Sequence, residues 1–302
     1  MKSIQVLIKI SVAGITVLLF TTNWVGAQKR LLTAQDLMAL TPTESDHTLH
    51  YGRGESQFGQ LRVPESDSPH PVVVIIHGGC WMGEYDLNHI SPLASAITEL
   101  GFATWSLEYR RIGNPGGGWP GTFLDIADGV DYLHELSTDF HLDLQHVLVL
   151  GHSAGGHLAL WAAARLQLPP ESPVYRASPL PVQGVISLAG ITDLSGLEFQ
   201  KGCGDSALKL MGGSREEYPI RYAHASPLDL LPFHVPQILI QGKQDRIVSF
   251  KGAELYRTRA YTEGDRCSLV LLEDSGHFEL VHPGSSAWKT VKKALLDYLP
   301  IS

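Results

Sequence analysis

The chain has 302 residues, of which 44% are apolar and 18% are charged, and its formal net charge is −8 at pH 7. This length suits one large α/β domain or two small ones, and the composition is ordinary for a globular protein with a sizeable core. The acidic balance argues against nucleic acid or an anionic membrane surface as a partner, because both attract basic patches.

The N-terminal segment has the pattern of a cleavable signal peptide. Lys2 and Lys9 accompany a largely apolar run at 10–20, and small residues at 25–27 precede a cleavage site. The run is shorter than the roughly 20 residues of a membrane span, so we expect no stable membrane anchor. We therefore expect residues 1–27 to be removed after Ala27, and the mature protein to be periplasmic or secreted.

Apolar β-branched runs alternate with helical periodicities along residues 28–302. A short helix is predicted within 28–43, followed by a hairpin of the strands 47–51 and 58–63. Further strands are predicted at 72–76, 103–107, 147–150, 184–189, 238–241 and 268–272. Further helices are predicted at 93–100, 124–137, 154–165, 253–261 and 287–299. This alternation predicts the α/β class, as a single domain with a mostly parallel sheet and helices on both faces.

A G-x-S-x-G motif stands between the predicted strand at 147–150 and the helix that follows it. It runs from Gly151 through Ser153 to Gly155, and Gly156 extends it. A serine on so sharp a turn needs neighbours with almost no side chain, which these glycines provide. The motif therefore predicts a nucleophile, Ser153, above the carboxyl edge of the sheet; a chance match in a glycine-rich chain is the alternative.

A serine nucleophile requires a base, and the base requires an orienting carboxylate. Both should follow strands at the same edge of a parallel sheet. His277 comes after the strand at 268–272, and Asp245 comes after the strand at 238–241. Asp193 and Asp274 also follow strands and are weaker candidates for the acid. The predicted triad is Ser153, Asp245 and His277.

The tetrahedral intermediate needs backbone N–H donors for its oxyanion. Ala154 follows the nucleophile at a helix N-terminus, where the helix dipole also favours negative charge. Gly78 and Gly79 follow the buried strand at 72–76, and their lack of a Cβ lets the backbone approach a substrate. We predict that these three residues form the oxyanion hole; a plain glycine turn at Gly78 and Gly79 is the alternative.

These motifs resemble those of the α/β-hydrolase superfamily over nearly all of the mature chain. The sequences at 77–81 (HGGCW) and 151–156 (GHSAGG) resemble the esterase branch that includes hormone-sensitive-lipase-like, feruloyl-esterase-like and kynurenine-formamidase-like proteins. The resemblance implies the same triad and the same oxyanion donors. The chain departs from the HGGG of the lipases, because Cys80 and Trp81 follow its two glycines, which is nearer to the formamidase form.

The sequence thus predicts a serine hydrolase that cleaves small-molecule carboxylic esters through an acyl-enzyme and without a cofactor. An arylformamidase or amidase is the first alternative, and a catalytically inactive binding module with this fold is the second. The histidines are scattered without metal-ligand spacing, so no metal site is predicted. The sequence gives no oligomeric state.

Residues 191–231 interrupt the alternation and leave the carboxyl end of a strand, so we expect a small cap above the serine. Cys203 lies in this segment, and Cys80 also leaves the carboxyl end of a strand, whereas Cys267 precedes a strand at the opposite edge. We therefore predict a Cys80–Cys203 disulfide and a free Cys267; three unpaired thiols are the alternative. Trp81 and Trp119 are predicted to contact the substrate or, equally, to fill the core.

Overall fold

We describe a computed structural model of the chain. It describes residues 30–66, 69–196 and 200–298, together with a pair of two-residue antiparallel strands, Ser11–Val12 and Ile15–Thr16. Residues 1–30 and 31–302 form separate compact units. The predicted signal-peptide cleavage at Ala27 lies outside the described residues. No helix in the described ranges is long and apolar enough to cross a membrane.

The second unit is an α/β fold built on one sheet of eight strands in its described part. In chain order the strands are β1 His47–His50, β2 Phe58–Arg62, β3 His70–Ile76, β4 Ala103–Leu107, β5 Leu142–His152, β6 Gly184–Leu188, β7 Gln237–Gly242 and β8 Cys267–Leu272. Their order across the sheet is β1-β2-β4-β3-β5-β6-β7-β8. The β1–β2 and β2–β4 pairs are antiparallel and the other five are parallel, which confirms the predicted mostly parallel sheet.

Ten α-helices are present in the described ranges. They are α1 Ala34–Met38, α2 Ser91–Thr98, α3 Gly121–Asp131, α4 Leu133–Asp139, α5 Ala154–Ala164, α6 Gln200–Cys203, α7 Ser206–Met211, α8 Pro219–Ala225, α9 Phe250–Thr262 and α10 Trp288–Leu296. The single helix predicted at 124–137 is wrong, because Tyr132 separates α3 from α4. The cap predicted at 191–231 contains α6, α7 and α8.

The hydrophobic core lies on both faces of the sheet. Along β3, Val72, Val74 and Ile76 join one cluster, whereas Val73 and Ile75 join the other, as the alternation of a strand requires. The first cluster includes residues of α3, α5 and α9, and the second includes residues of α2 and α10. This layering explains why the central strands are apolar on both faces.

Strand β5 is longer than predicted because it contains an irregularity. Its register with β3 runs from Leu142 opposite His70 and then shifts, so that Val147 is opposite Val72. The residues at 144–146 lie between these two stretches and are less apolar than the rest of the strand. An apolar pattern therefore identifies only its second half.

The contact between β3 and α5 depends on Gly155. A Cβ at this position would lie 2.1 Å from the carbonyl oxygen of Ile76 and 2.5 Å from that of His77. Backbone atoms in a central strand cannot move aside as a side chain could. The close approach brings the N-terminus of α5 against the end of β3.

We expect Gly155→Ala to lower the free energy of unfolding by roughly 1–3 kcal/mol or more, because it overpacks this contact. Denaturant unfolding followed by circular dichroism measures the change. Gly54→Ala is the matched control, since the nearest atom to its new Cβ belongs to the flexible side chain of Gln57, at 3.0 Å. An equal loss in both variants would contradict the stated cause.

Candidate active site

Ser153 stands at the turn between β5 and α5 in a backbone conformation that non-glycine residues rarely adopt. Its φ is 56° and its ψ is −120°. The Ser153 N–H donates to the carbonyl oxygen of Leu188, at the end of β6, over 2.8 Å. A Cβ on Gly151 would lie 2.0 Å from the carbonyl oxygen of Gly155. The glycines therefore make room for the turn at the position that the motif predicts.

His277 and Asp245 are paired side by side after β8 and β7. The Nδ1–H of His277 donates to Oδ2 of Asp245 over 2.7 Å, and both side chains are almost completely buried. The Asp245 carboxylate also accepts from the backbone N–H groups of Ile247 and Val248, at 2.8 and 2.9 Å. These donors hold the carboxylate in place, so it fixes the tautomer and orientation of the imidazole.

The paired acid is Asp245 rather than either weaker candidate. Asp193 instead accepts from the backbone N–H of Ser195 over 2.8 Å, in the cap.

The loop that carries His277 packs closely against β7 at Gly242, where a Cβ would lie 2.3 Å from the carbonyl oxygen of Ser275.

His152 connects the histidine to the serine turn. It immediately precedes Ser153, and its Nε2–H donates to the backbone carbonyl of His277 over 3.1 Å. The two imidazole rings are tilted, with centroids 4.4 Å apart. His277 is therefore held directly beside the turn that carries Ser153. The sequence indicated that His152 is adjacent to the nucleophile but gave no sign of this contact.

The loop after β3 lies against the serine. A Cβ on Gly78 would come within 3.0 Å of the Cβ of Ser153 and 2.7 Å of the carbonyl oxygen of His152. The N–H of Gly78 donates to Nε2 of His89 over 3.4 Å. This bond engages the N–H of Gly78, which the sequence assigned to the oxyanion hole; the oxyanion donors stay predictions.

Three successive residues of this loop have positive φ: Gly79 at 105°, Cys80 at 51° and Trp81 at 58°. Left-handed conformations at non-glycine residues cost of order 1–3 kcal/mol each and persist only where surrounding contacts hold them. Cys80 is held by a disulfide to Cys203, with their Cα atoms 5.5 Å apart. Trp81 is held by complete burial, with its ring edge-on to that of His157.

The cap is tied to two loops of the site. The disulfide joins α6 to the loop after β3, as predicted, and Cys267 is free. A Cβ on Gly202, also in α6, would lie 2.5 Å from Cγ2 of Ile247, two residues after the acid. The end of α6 therefore bridges the loop after β3 and the loop after β7, which carries Asp245.

The two tryptophans have different environments. Trp81 has no exposed surface, so the structure places it in the core, which is the second of its two sequence interpretations. Trp119 is half-buried, and its ring packs against Phe123 with centroids 5.3 Å apart. A substrate contact at Trp119 stays a prediction.

Three histidines near the site are held neutral, of which His152 and His157 are fully buried and His89 is half-buried. Desolvation of its ring lowers the pKa of His89 to about 3, and the nearby His77 lowers it further. Burial likewise lowers the pKa of His157 to about 4, and it lowers the pKa of His152 well below its usual range. These imidazoles can act as fixed hydrogen-bonding groups at neutral pH.

We expect these histidines to make the fold sensitive to acid. Below pH 6.5 these histidines bind protons in the unfolded chain but stay neutral in the folded chain. The free energy of unfolding should therefore decrease as the pH falls. His157→Gln keeps an amide donor for the carbonyl oxygen of Ala225, which accepts from His157 Nε2 at 3.0 Å. Between pH 6.5 and about 4, the variant should reduce the slope by about 1.4 kcal/mol per pH unit.

Urea unfolding at a series of pH values measures this slope. His134→Gln, which changes an exposed histidine on α4, is the matched control. The interpretation is wrong if His157→Gln leaves the slope at its original value.

Comparisons with known proteins agree with this architecture. The BD-FAE family profile matches residues 61–259. Esterase LipQ of Mycobacterium tuberculosis is 26% identical over 181 residues, which are 59% of this chain and 42% of LipQ. The probable carboxylic ester hydrolase LipM of the same organism is 26% identical over 215 residues, which are 67% and 48% of the two chains. The match thus spans less than half the length of these curated relatives.

A solved structure of esterase B from Lactobacillus rhamnosis, with a tributyrin phosphonate inhibitor, has a similar fold. Its TM-score is 0.74 at 20% sequence identity, and the superposition covers 88% of this chain and 89% of that chain. At this identity the likeness establishes the α/β-hydrolase fold.

Proposed function

The chain belongs to the BD-FAE family, and from this membership and the geometry of its site we propose that it is a secreted serine hydrolase of small-molecule carboxylic esters. The observation that carries the proposal is the buried His277–Asp245 pair, 2.7 Å apart, held beside a serine with φ of 56°. The esterase names of LipQ and LipM support the ester as the substrate class.

In the proposed mechanism, Ser153 Oγ attacks the ester carbonyl while Nε2 of His277 takes its proton. The N–H groups of Gly79 and Ala154 donate to the carbonyl oxygen of the ester, which becomes negatively charged as the tetrahedral intermediate forms. His277 then returns the proton to the departing alcohol, which leaves an acyl group on Ser153. Water, deprotonated by the same imidazole, attacks the acyl-enzyme and releases the acid. Asp245 stays ionised and orients His277 throughout.

A fluorophosphonate probe tests the nucleophile. We expect covalent labelling of Ser153 in the wild-type protein and none in Ser153→Ala, because only a serine activated by its base reacts. Asp245→Asn should lower kcat by about 10⁴-fold, since it favours the wrong imidazole tautomer. Peptide mapping locates the label, and hydrolysis of p-nitrophenyl acetate gives kcat.

Asp193→Asn is the matched control for the acid, and we expect it to retain wild-type activity. Labelling at another residue, or full activity of Ser153→Ala, would overturn the proposed nucleophile. The same panel includes N-formylkynurenine. A larger kcat/KM for this formamide than for the ester would replace the ester by an aryl formamide as the substrate class.

Secretion is supported by the signal-peptide pattern at 1–27 and by the Cys80–Cys203 disulfide, since disulfides persist in oxidising compartments. We expect the protein exported from a bacterial host to begin at Gln28. N-terminal sequencing of the periplasmic fraction tests this expectation. Recovery of the chain only in the cytosol, still beginning at Met1, would contradict it.

A further inference from the structure

His77, at the end of β3, has a hydrogen-bond partner for each ring nitrogen. The ring is fully buried and stacks on Tyr109, with centroids 4.4 Å apart. Nδ1 lies 2.8 Å from the carbonyl oxygen of Gly78, and Nε2 lies 3.0 Å from Oε1 of Glu108. A carbonyl oxygen can only accept, so Nδ1 carries a proton. The state of Nε2 depends on Glu108.

Glu108 is surrounded by donors. Its carboxylate accepts from the backbone N–H groups of Tyr109 and Leu87, at 3.0 and 3.2 Å, and Oε1 lies 3.1 Å from Nη1 of Arg111. Burial raises the pKa of Glu108, but His77, Arg111 and the Tyr109 N–H together lower it below its usual value. Independently of His77, Arg111 and the two backbone N–H groups all require an acceptor at Glu108, so the glutamate is a carboxylate and Nε2 of His77 must donate to it.

The imidazole that packs against His77, that of His89, is neutral. His89 is edge-on to His77, with ring centroids 6.0 Å apart. Its Nδ1–H donates to the carbonyl oxygen of Asp86 over 3.1 Å, and its Nε2 accepts from the N–H of Gly78. A protonated His89 could not accept this bond.

We infer that His77 is an imidazolium that polarises the peptide bond between Gly78 and Gly79. The carbonyl that accepts from Nδ1–H belongs to the same peptide unit as the N–H of Gly79. Withdrawing electron density at the oxygen makes that N–H a stronger donor, because hydrogen bonds in a chain polarise one another. His77 is then a positioning residue that acts on the oxyanion through the backbone, with Glu108 as its counter-ion.

This inference rests on the proposed function, because it assigns the N–H of Gly79 to the oxyanion of an ester hydrolysed at Ser153. A second bond holds the backbone of the loop after β3 in place: the hydroxyl of Tyr109 donates to the carbonyl oxygen of His77 over 2.9 Å. That bond would persist with a neutral residue at position 77. The charge of His77 must therefore be tested apart from its place in the packing.

The first test is nuclear magnetic resonance of ¹⁵N-histidine-labelled Ser153→Ala protein, which does not depend on activity. We expect one imidazole that keeps protons on both nitrogens from pH 6 to pH 9, a range in which an unpaired histidine loses one of them because its pKa is about 6.5. His77→Asn identifies the signal, or through-bond correlations do so if that variant does not fold. A neutral tautomer of His77 over this range overturns the inference.

The second test is kinetic. The Nδ2–H of Asn in His77→Asn replaces the Nδ1–H donor without its charge. We expect kcat to fall roughly tenfold with KM unchanged, less than the 10²–10³-fold loss on removing an oxyanion donor. Affinity for a trifluoromethyl ketone, which forms an oxyanion on the serine, should fall by a similar factor.

The outcomes separate the two proposals. If His77→Asn weakens binding of the trifluoromethyl ketone and raises KM by the same factor, His77 has a packing role and the polarising role is overturned. Full activity of Ser153→Ala would instead overturn the proposed nucleophile, while leaving the protonation state of His77 measurable. A doubly protonated His77, together with a loss confined to kcat and oxyanion affinity, supports the inference.

Discussion

The positive φ of Ser153 is the constraint on which the rest of the site depends. A non-glycine residue in this conformation costs of order 1–3 kcal/mol, so surrounding contacts must hold it. The N–H of Ser153 is bonded to Leu188 of β6, and the helix that follows is buried along its whole length. Glycines at 151 and 155 stand where any Cβ would overlap backbone atoms. The turn is therefore enforced by sheet and helix together.

The parallel sheet brings the other groups to this turn. β3, β5, β7 and β8 all end at the same edge, and the residues just beyond them carry the glycine loop, the serine, the acid and the histidine. Short side-chain bonds then fix what topology brings near, as between His277 and Asp245. The cap is fastened across this edge at Cys203 and Gly202, which links the loop after β3 to the loop after β7.

Much of this arrangement follows from sequence. Apolar strands identify the sheet, and polar residues after them identify the carboxyl edge that carries the site. That rule locates Ser153, Asp245 and His277. The same rule applied to the strand at 103–107 would have found Glu108, which follows it directly. It could not have found His89, which lies in the short 3₁₀ helix at Leu87–Ile90, where neither periodicity nor a strand end marks a site.

Burial alone does not decide the charge of the imidazoles around this site. His152 donates through Nε2 to a backbone carbonyl, and His89 accepts from a backbone N–H, so a neutral ring satisfies both arrangements. His77 is as buried as His152, yet one nitrogen faces a carbonyl and the other a carboxylate. Two acceptors demand two donors, and the neighbouring carboxylate supplies the opposite charge that makes a buried cation tolerable. The partners of each ring nitrogen thus decide that His89 and His152 are neutral, whereas His77 carries a positive charge beneath the loop after β3.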